Sequence, residues 1–111
     1  MTAPVDIRAD HLAILHGILE RNLPPGAQTW VFGSRARWTT HAGSDLDLAI
    51  DAGRPLSRPE VSRLRDDLEE SDLPYKVDVV DLHHVSESFR KVIERDRVPL
   101  PEPGARVMPG A

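Results

Sequence analysis

Apolar residues along the chain alternate between helical and strand-like spacing. In residues 6–22 they recur every three to five positions, which is typical of an amphipathic helix. The "LPPG" of residues 23–26 ends that helix, because proline cannot continue its backbone hydrogen bonds. Residues 28–32 then predict a short strand, Gly33 breaks it, and residues 34–40 are compatible with one or two turns of helix.

The second half of the chain continues this alternation. "DLDLAI" at residues 45–50 has a period of two, so it predicts a strand with its leucines and isoleucine on one face. Ser57 followed by Glu60 is a capping-box signature, and the helix that it begins continues to about residue 71. "YKVDVVDL" at residues 75–82 predicts a third strand.

The end of the chain combines a last helix with a proline- and glycine-rich segment. Ser86 can cap the helix "ESFRKVIERD" that follows it. We expect one domain of residues 1–97 and an extended or mobile tail of residues 98–111. The order α-β-α-β-α-β-α predicts a small α/β (α+β) domain, with helices on mainly one face of the sheet and the other face open.

Composition narrows the class of function. A chain of 111 residues fits one domain, and its formal charge of −4 argues against non-specific binding to nucleic acid. The absence of cysteine excludes disulfides and Cys-based zinc sites. No apolar run is long enough for a membrane span, and the N-terminus lacks the apolar centre of a signal peptide, so we expect a cytoplasmic protein.

Two aspartates interrupt the apolar pattern of the second strand. Asp45 and Asp47 are two residues apart, so both carboxylates emerge on the same face. Neighbouring carboxylates repel each other, which a bound cation relieves, and hard ions such as Mg²⁺ prefer oxygen ligands. If the strand that holds Asp78 is adjacent, its carboxylate reaches the same point, and three carboxylates could hold two metal ions for phosphoryl transfer.

The Gly33-Ser34 turn predicts a phosphate-binding end of the same site. Glycine lets a triphosphate approach the backbone, and the helix that begins at Ser34 offers N–H groups and a hydroxyl. Arg35 and Arg37 offer guanidinium groups for phosphate oxygens, although solvent-exposed surface charges explain them equally well. No P-loop motif is present.

Other polar residues have simpler explanations. Asp51 and Asp81 fall at strand ends, where turn formation or capping is the better interpretation. Asp81 points to the face opposite Asp78, so only one of the two can join the site, and Asp78 is the deeper one. His83 and His84 are adjacent and lack a second group at ligand spacing, which favours strand-end histidines over a zinc site.

The combination "GSRARW…SDLDLAI" followed by "KVDVVDL" resembles the minimal nucleotidyltransferase family of the DNA polymerase β-like nucleotidyltransferase superfamily. The resemblance covers residues 28–82 and implies a mixed sheet, Mg²⁺ and a nucleoside triphosphate, usually ATP. It implies nucleotide binding by Gly33, Ser34, Arg35 and Arg37, and metal binding and catalysis by Asp45, Asp47 and Asp78.

The resemblance also implies a partner. Many such minimal proteins act as antitoxins of a HEPN-domain toxin, and some transfer AMP to a tyrosine of that toxin. The alternative is a non-catalytic antitoxin or binding subunit that neutralises or complements its partner by complex formation. This chain has Trp38 where the family often has glycine, and "RVPLPEP" in place of an apolar segment, which leaves a fourth strand in doubt.

Overall fold

A computed structural model describes residues 5–37 and 45–102, except for the side chain of Arg37. Helices and strands alternate along the chain, as the apolar pattern predicts. The helices are α1 (Ala9–Asn22), α2 (Ser34–Arg37), α3 (Arg58–Glu69) and α4 (Glu87–Asp96). The strands are β1 (Gln28–Phe32), β2 (Leu46–Asp51), β3 (Val77–Asp81) and β4 (Val98–Pro99). None of these helices combines the length and the apolar character that a membrane span requires, within the described residues.

The four strands form one mixed sheet in the order β3-β2-β1-β4. Strand β1 is antiparallel to both of its neighbours, whereas β2 and β3 run parallel. The parallel pair requires a crossover, and α3 supplies it between β2 and β3. This arrangement confirms the predicted fold class, a small α/β domain with a mixed sheet.

One face of the sheet carries the larger core. The three apolar residues of the alternating β2 pattern, Leu46, Leu48 and Ile50, are completely buried there. Helices α1 and α3 cover this face with Leu15 and Leu64, which are also completely buried. The period-two pattern of "DLDLAI" therefore predicts the core-facing side of β2 correctly.

The second face of the sheet is less open than the apolar pattern suggested. Helix α4 packs on part of this second face, where Ile93 and Ala49 are completely buried in a second, smaller core. Trp30 and Phe32 from β1 pack against the same core. Helices therefore cover both faces, and Asp47 of β2 and Asp78 of β3 lie on the part of this second face beyond that core.

A fourth strand exists, although the proline-rich sequence had left it in doubt. Val98 pairs with Val31 and Pro99 pairs with Trp30, in the antiparallel direction. Leu100 is buried in the larger core, and the carbonyl oxygen of Pro101 lies 2.6 Å from Nε2 of His16. Residues 98–101 therefore pack on the domain, with Val98 and Pro99 in a strand. The last residues of the predicted tail, 103–111, lie outside the described residues.

Both predicted helix caps form. The hydroxyl of Ser86 accepts from the backbone N–H of Phe89 at the start of α4. At α3, the backbone N–H of Ser57 donates to Oε1 of Glu60 over 2.8 Å, and Oγ of Ser57 accepts from the N–H of Glu60 over 3.2 Å. Arg54 adds two hydrogen bonds to the Glu60 carboxylate, at 2.9 and 2.8 Å.

This cap should make the stability of the domain depend on acidity. Hydrogen bonds from Arg54, then from the Ser57 backbone, lower the pKa of Glu60 from 4.5 to about 2. A carboxyl group with a lowered pKa in the folded state stabilises fully above its unfolded pKa and loses that contribution as the pH falls through the folded one. We expect Glu60→Gln to flatten the decline in unfolding free energy between pH 4.5 and pH 2, measured by denaturant titration. Glu94→Gln, on the exposed surface of α4, should show the same decline in unfolding free energy with falling pH as the wild type. An equal change in both variants would contradict the assignment of this pH dependence to Glu60.

Candidate active site

Two of the predicted carboxylates are cross-strand neighbours. Asp47 of β2 pairs with Asp78 of β3, and Phe32 of β1 pairs with Asp47 from the other side. Directly paired residues share a face of the sheet, and neighbouring strands lie about 4.8 Å apart. The row Phe32–Asp47–Asp78 therefore crosses the sheet at one level, just beyond the edge of the second core. Its two aspartates, Asp47 and Asp78, form what we call the carboxylate row.

The turn after β1 is shaped around Asp47. Gly33 has a φ of 76°, in the left-handed region that disfavours residues with a Cβ atom. A Cβ atom at this position would lie 2.3 Å from Oδ2 of Asp47, closer than any real contact. The glycine thus serves two needs, since it provides the turn and leaves room for the carboxylate against the backbone. This close approach joins the predicted phosphate-binding turn to the predicted metal-binding pair.

Asp45 stands one residue before β2, and it is exposed. Along a strand its position alternates onto the same face as Asp47. Among the residues that the structure describes, no three His, Asp or Glu side chains converge as a complete metal-binding cluster. Such convergence is not needed for Mg²⁺, which commonly binds through one or two carboxylates together with waters and substrate phosphates. The all-oxygen donor set fits a hard divalent ion that arrives with a nucleotide.

Lys76 is a residue near the site that the sequence analysis missed. Its Nζ atom lies 3.6 Å from Oδ1 of Asp78, with the Lys76 side chain largely exposed and the Asp78 side chain partly exposed. An exposed ion pair of this kind contributes little to stability. Its consequence is local, because it places a positive charge beside Asp78. The signal was available in the sequence, since residues two apart near a strand share a side.

Arg35 contacts the N-terminal segment and a tyrosine. Its Nη1 atom donates to the carbonyl oxygen of Asp6 over 2.8 Å, and the Asp6 N–H donates to the carbonyl oxygen of Arg35 over 2.9 Å. Its guanidinium carbon lies 4.0 Å from the ring centre of Tyr75, a cation–π contact. These contacts hold Asp6 outside the helix, which is why α1 begins at Ala9 and the predicted start at Asp6 is wrong.

Tyr75 is the centre of this contact network. Its hydroxyl lies 3.1 Å from Nδ1 of His11 on α1, and burial raises the pKa of Tyr75 above its usual value. Because Arg35 lies in α2 and Tyr75 lies just before β3, the network connects the turn after Gly33 to the strand of Asp78. Phosphate binding by Arg35 stays a prediction, whereas the observed contacts give it a role in positioning.

This network makes a prediction about stability. Arg35→Ala removes a charged hydrogen bond and the cation–π contact, so the free energy of unfolding should fall by about 1–3 kcal/mol, measured by urea denaturation. Arg58→Ala, an exposed arginine in the first turn of α3, is the control and should change it by less than about 0.5 kcal/mol. An Arg35→Ala protein as stable as the control would show that these contacts are energetically unimportant.

The strand-end residues have the structural roles that the sequence predicts. Oδ1 of Asp51 accepts from the backbone N–H of Gly53, and Oδ2 of Asp81 accepts from the N–H of Leu56. His83 donates its backbone N–H to Asp81, and its ring lies 2.8 Å from Asp51. The hydrogen bonds to Asp51 lower its pKa, first the bond from the Gly53 amide and then the bond from the His83 side chain. Asp81 thus fixes the connection before α3, away from the carboxylate row.

The remaining predicted site residues differ in how much is known of them. Ser34 is the first residue of α2 and follows Gly33 directly. Arg37 ends α2, and its side chain is outside the described part of the structure. Trp38 and the connection to Ser44 also lie outside the described residues, so their predicted differences from the family stay predictions.

Comparison with known proteins places this geometry in a family. A model described as "Polymerase beta, Nucleotidyltransferase" matches residues 15–102. The chain is 41% identical over 100 residues to "Probable protein adenylyltransferase MntA" of Haemophilus influenzae, covering 90% of this chain and 87% of that protein. A crystal structure of a toxin-antitoxin with AMP-PNP aligns with a TM-score of 0.70 at 27% identity, over 82% of this chain and 73% of that one. A mutant of the toxin-antitoxin MntA-HpeT aligns with a TM-score of 0.68 at 25% identity, over 86% and 74% of the two chains.

Proposed function

Because this chain belongs to the polymerase beta nucleotidyltransferase family, we propose that it transfers AMP from ATP to a hydroxyl group of a partner protein. The observation that carries the proposal is the close approach of Gly33 to Asp47, beside Asp78 on the paired strand. This contact supports the proposal because it brings the turn that is predicted to bind phosphate next to two carboxylates at one level of the sheet. The adenylyltransferase named at 41% identity and the AMP-PNP-bound relative support the choice of nucleotide.

This proposal assigns metal binding to the three aspartates and phosphate binding to the turn after β1. Asp45, Asp47 and Asp78 would hold Mg²⁺, which balances the negative charge of the triphosphate and makes the acceptor hydroxyl more acidic. The catalytic residues of the protein are then these three aspartates, with Gly33 and Ser34 binding phosphate oxygens through the backbone and the hydroxyl. Arg35 and Arg37 remain candidates for charge balance on the leaving pyrophosphate.

The reaction is a substitution at the α-phosphorus. The acceptor oxygen forms a bond to that phosphorus, and the bond from phosphorus to the bridging oxygen of the β-phosphate breaks. Asp78, at the outer strand of the sheet, accepts the proton of the acceptor hydroxyl and passes it to solvent. Pyrophosphate leaves with the electron pair of the broken bond, and the products are the AMP ester and pyrophosphate.

The acceptor in this proposal is a tyrosine of a HEPN-domain toxin, which makes the chain an antitoxin that acts in the cytoplasm. Support comes from the relatives, since the aligned solved structures are described as toxin-antitoxin and as MntA-HpeT. A tyrosine hydroxyl suits the chemistry, because its pKa of about 10 makes it easier to deprotonate than serine or threonine.

The test uses ATP labelled at the α-phosphate, Mg²⁺ and a HEPN-domain protein from the genome that encodes this chain. We expect label to appear on that protein, at a tyrosine identified by peptide mass spectrometry, only when all components are present. ATP labelled at the γ-phosphate is the control, because its label leaves with pyrophosphate. Label on the partner from both forms of ATP, or from neither, would contradict AMP transfer.

A further inference from the structure

Two apolar side chains on α4 are exposed next to the carboxylate row. Phe89 and Val92 leave 41% and 42% of their surface accessible, and they are the large apolar residues that the described chain exposes most. They are three residues apart on a helix, so they form one patch. Single exposed apolar residues are ordinary on protein surfaces, so the position of the pair must carry the inference.

The patch is continuous with the site through one aromatic contact. The ring of Phe89 meets the ring of Phe32 edge to face, with their centres 6.2 Å apart. Phe32 is the direct cross-strand partner of Asp47, and Asp47 pairs with Asp78. Neighbouring positions therefore link the patch, through Phe89 and Phe32, to Asp47 and Asp78.

A protein acceptor must approach from this side. Its hydroxyl has to reach Asp78, and the helices α1 and α3 close the opposite face of the sheet. We propose that Phe89 and Val92 form the docking patch for the acceptor-bearing surface of the partner protein. This inference rests on the proposed function, and it identifies where on this chain an apolar segment of the acceptor protein binds.

The surroundings of the patch suit a protein surface. Arg95 and Asp96 follow Val92 at three and four positions along α4, so charges of both signs adjoin the patch, as in the polar rim of a protein interface. A surface that bound a polyphosphate ligand would instead be expected to carry uniformly basic side chains. An apolar contact of this kind contributes to affinity for the whole acceptor protein while leaving nucleotide binding untouched.

The test compares matched charge insertions on two exposed helix positions. Val92→Glu places a carboxylate in the patch, and Ala13→Glu places one on the exposed side of α1. We expect Val92→Glu to raise the concentration of HEPN-domain protein needed for half-maximal AMP transfer by about tenfold or more, as loss of an interface anchor does. The rate at saturation and the affinity for ATP should stay within about twofold of the wild type. Phe89→Ala should act in the same direction, and Ala13→Glu should match the wild type.

Each result has one interpretation. A half-maximal concentration within about twofold of the wild type in Val92→Glu and Phe89→Ala would overturn the docking patch. The docking patch would also be overturned if Val92→Glu dissociated a self-associated form of this chain in sedimentation but left the dependence of AMP transfer on the acceptor protein unchanged. If the wild type transfers no AMP, the proposed function fails, and calorimetry of the two proteins still decides, because Val92→Glu must then weaken their direct binding by about tenfold or more. Absence of binding by the wild type would overturn the patch as well.

Discussion

Asp47→Asn should reduce AMP transfer by at least about 10³-fold, the largest effect we expect from a single substitution. The amide keeps the size and shape of the side chain but loses the negative charge that a cation and a triphosphate require. Asp47 is also the residue that a Cβ atom on Gly33 would meet, so its carboxylate lies directly against the turn after β1. The measurement is the initial rate of label transfer from α-labelled ATP at saturating acceptor protein.

A matched variant separates charge from fold. Asp67→Asn removes a carboxylate from α3, where it accepts from the side chain of Asn22, far from the carboxylate row. It should retain transfer within about threefold of the wild type, because surface substitutions away from a site have small effects. If Asp47→Asn transfers AMP at a similar rate, the assignment of the site to the carboxylate row is wrong. If the Asp47→Asn protein also still neutralises a toxin, this chain acts on that toxin by binding alone.

Gly33→Ala should damage both stability and activity. The methyl group must occupy a backbone with a φ of 76°, which costs about 1–2 kcal/mol for a residue with a Cβ atom. It must also lie 2.3 Å from Oδ2 of Asp47, so the carboxylate or the turn has to move. We expect the free energy of unfolding to fall by more than the backbone cost and AMP transfer to fall by about 10²-fold, since small misplacements at a site have such effects.

Gly53 provides an internal standard for the Gly33 variant. Its φ is 80°, nearly the same, but nothing lies within 4 Å of a Cβ atom placed there. Gly53→Ala should therefore show the backbone cost alone, about 1–2 kcal/mol by denaturant titration, with unchanged transfer. If the two variants lose the same stability and both remain active, the contact between Gly33 and Asp47 has no functional weight.

Much of the fold could be predicted because its signals are local. The predicted bounds of β1 match the observed strand, and the period of two in β2 places three residues in the core and Asp47 on the other face. The helix caps at Ser57 and Ser86 also form as predicted. Each of these features depends on residues within a few positions of one another, which the sequence alone displays.

The remaining features depend on contacts between distant segments. Arg35 binds the backbone of Asp6, 29 residues earlier, and the ring of Tyr75, which no local pattern indicates. The packing of α4 on the second face likewise depends on Ile93 meeting Ala49. For the site, the sequence predicted which carboxylates share a face, and the strand pairing of Asp47 with Asp78 agrees with it. The catalytic and nucleotide-binding roles of these residues stay predictions.

The short strand β4 has a consequence for how molecules of this protein can assemble. An open sheet edge is a template on which strands of other molecules can add, and β4 closes the β1 side with only two residues. One of them is Pro99, which has no N–H to offer to a further strand. Growth of the sheet by addition of foreign strands is therefore blocked on this side. The outer edge of β3, which carries Asp78, is the side on which strand addition remains geometrically possible.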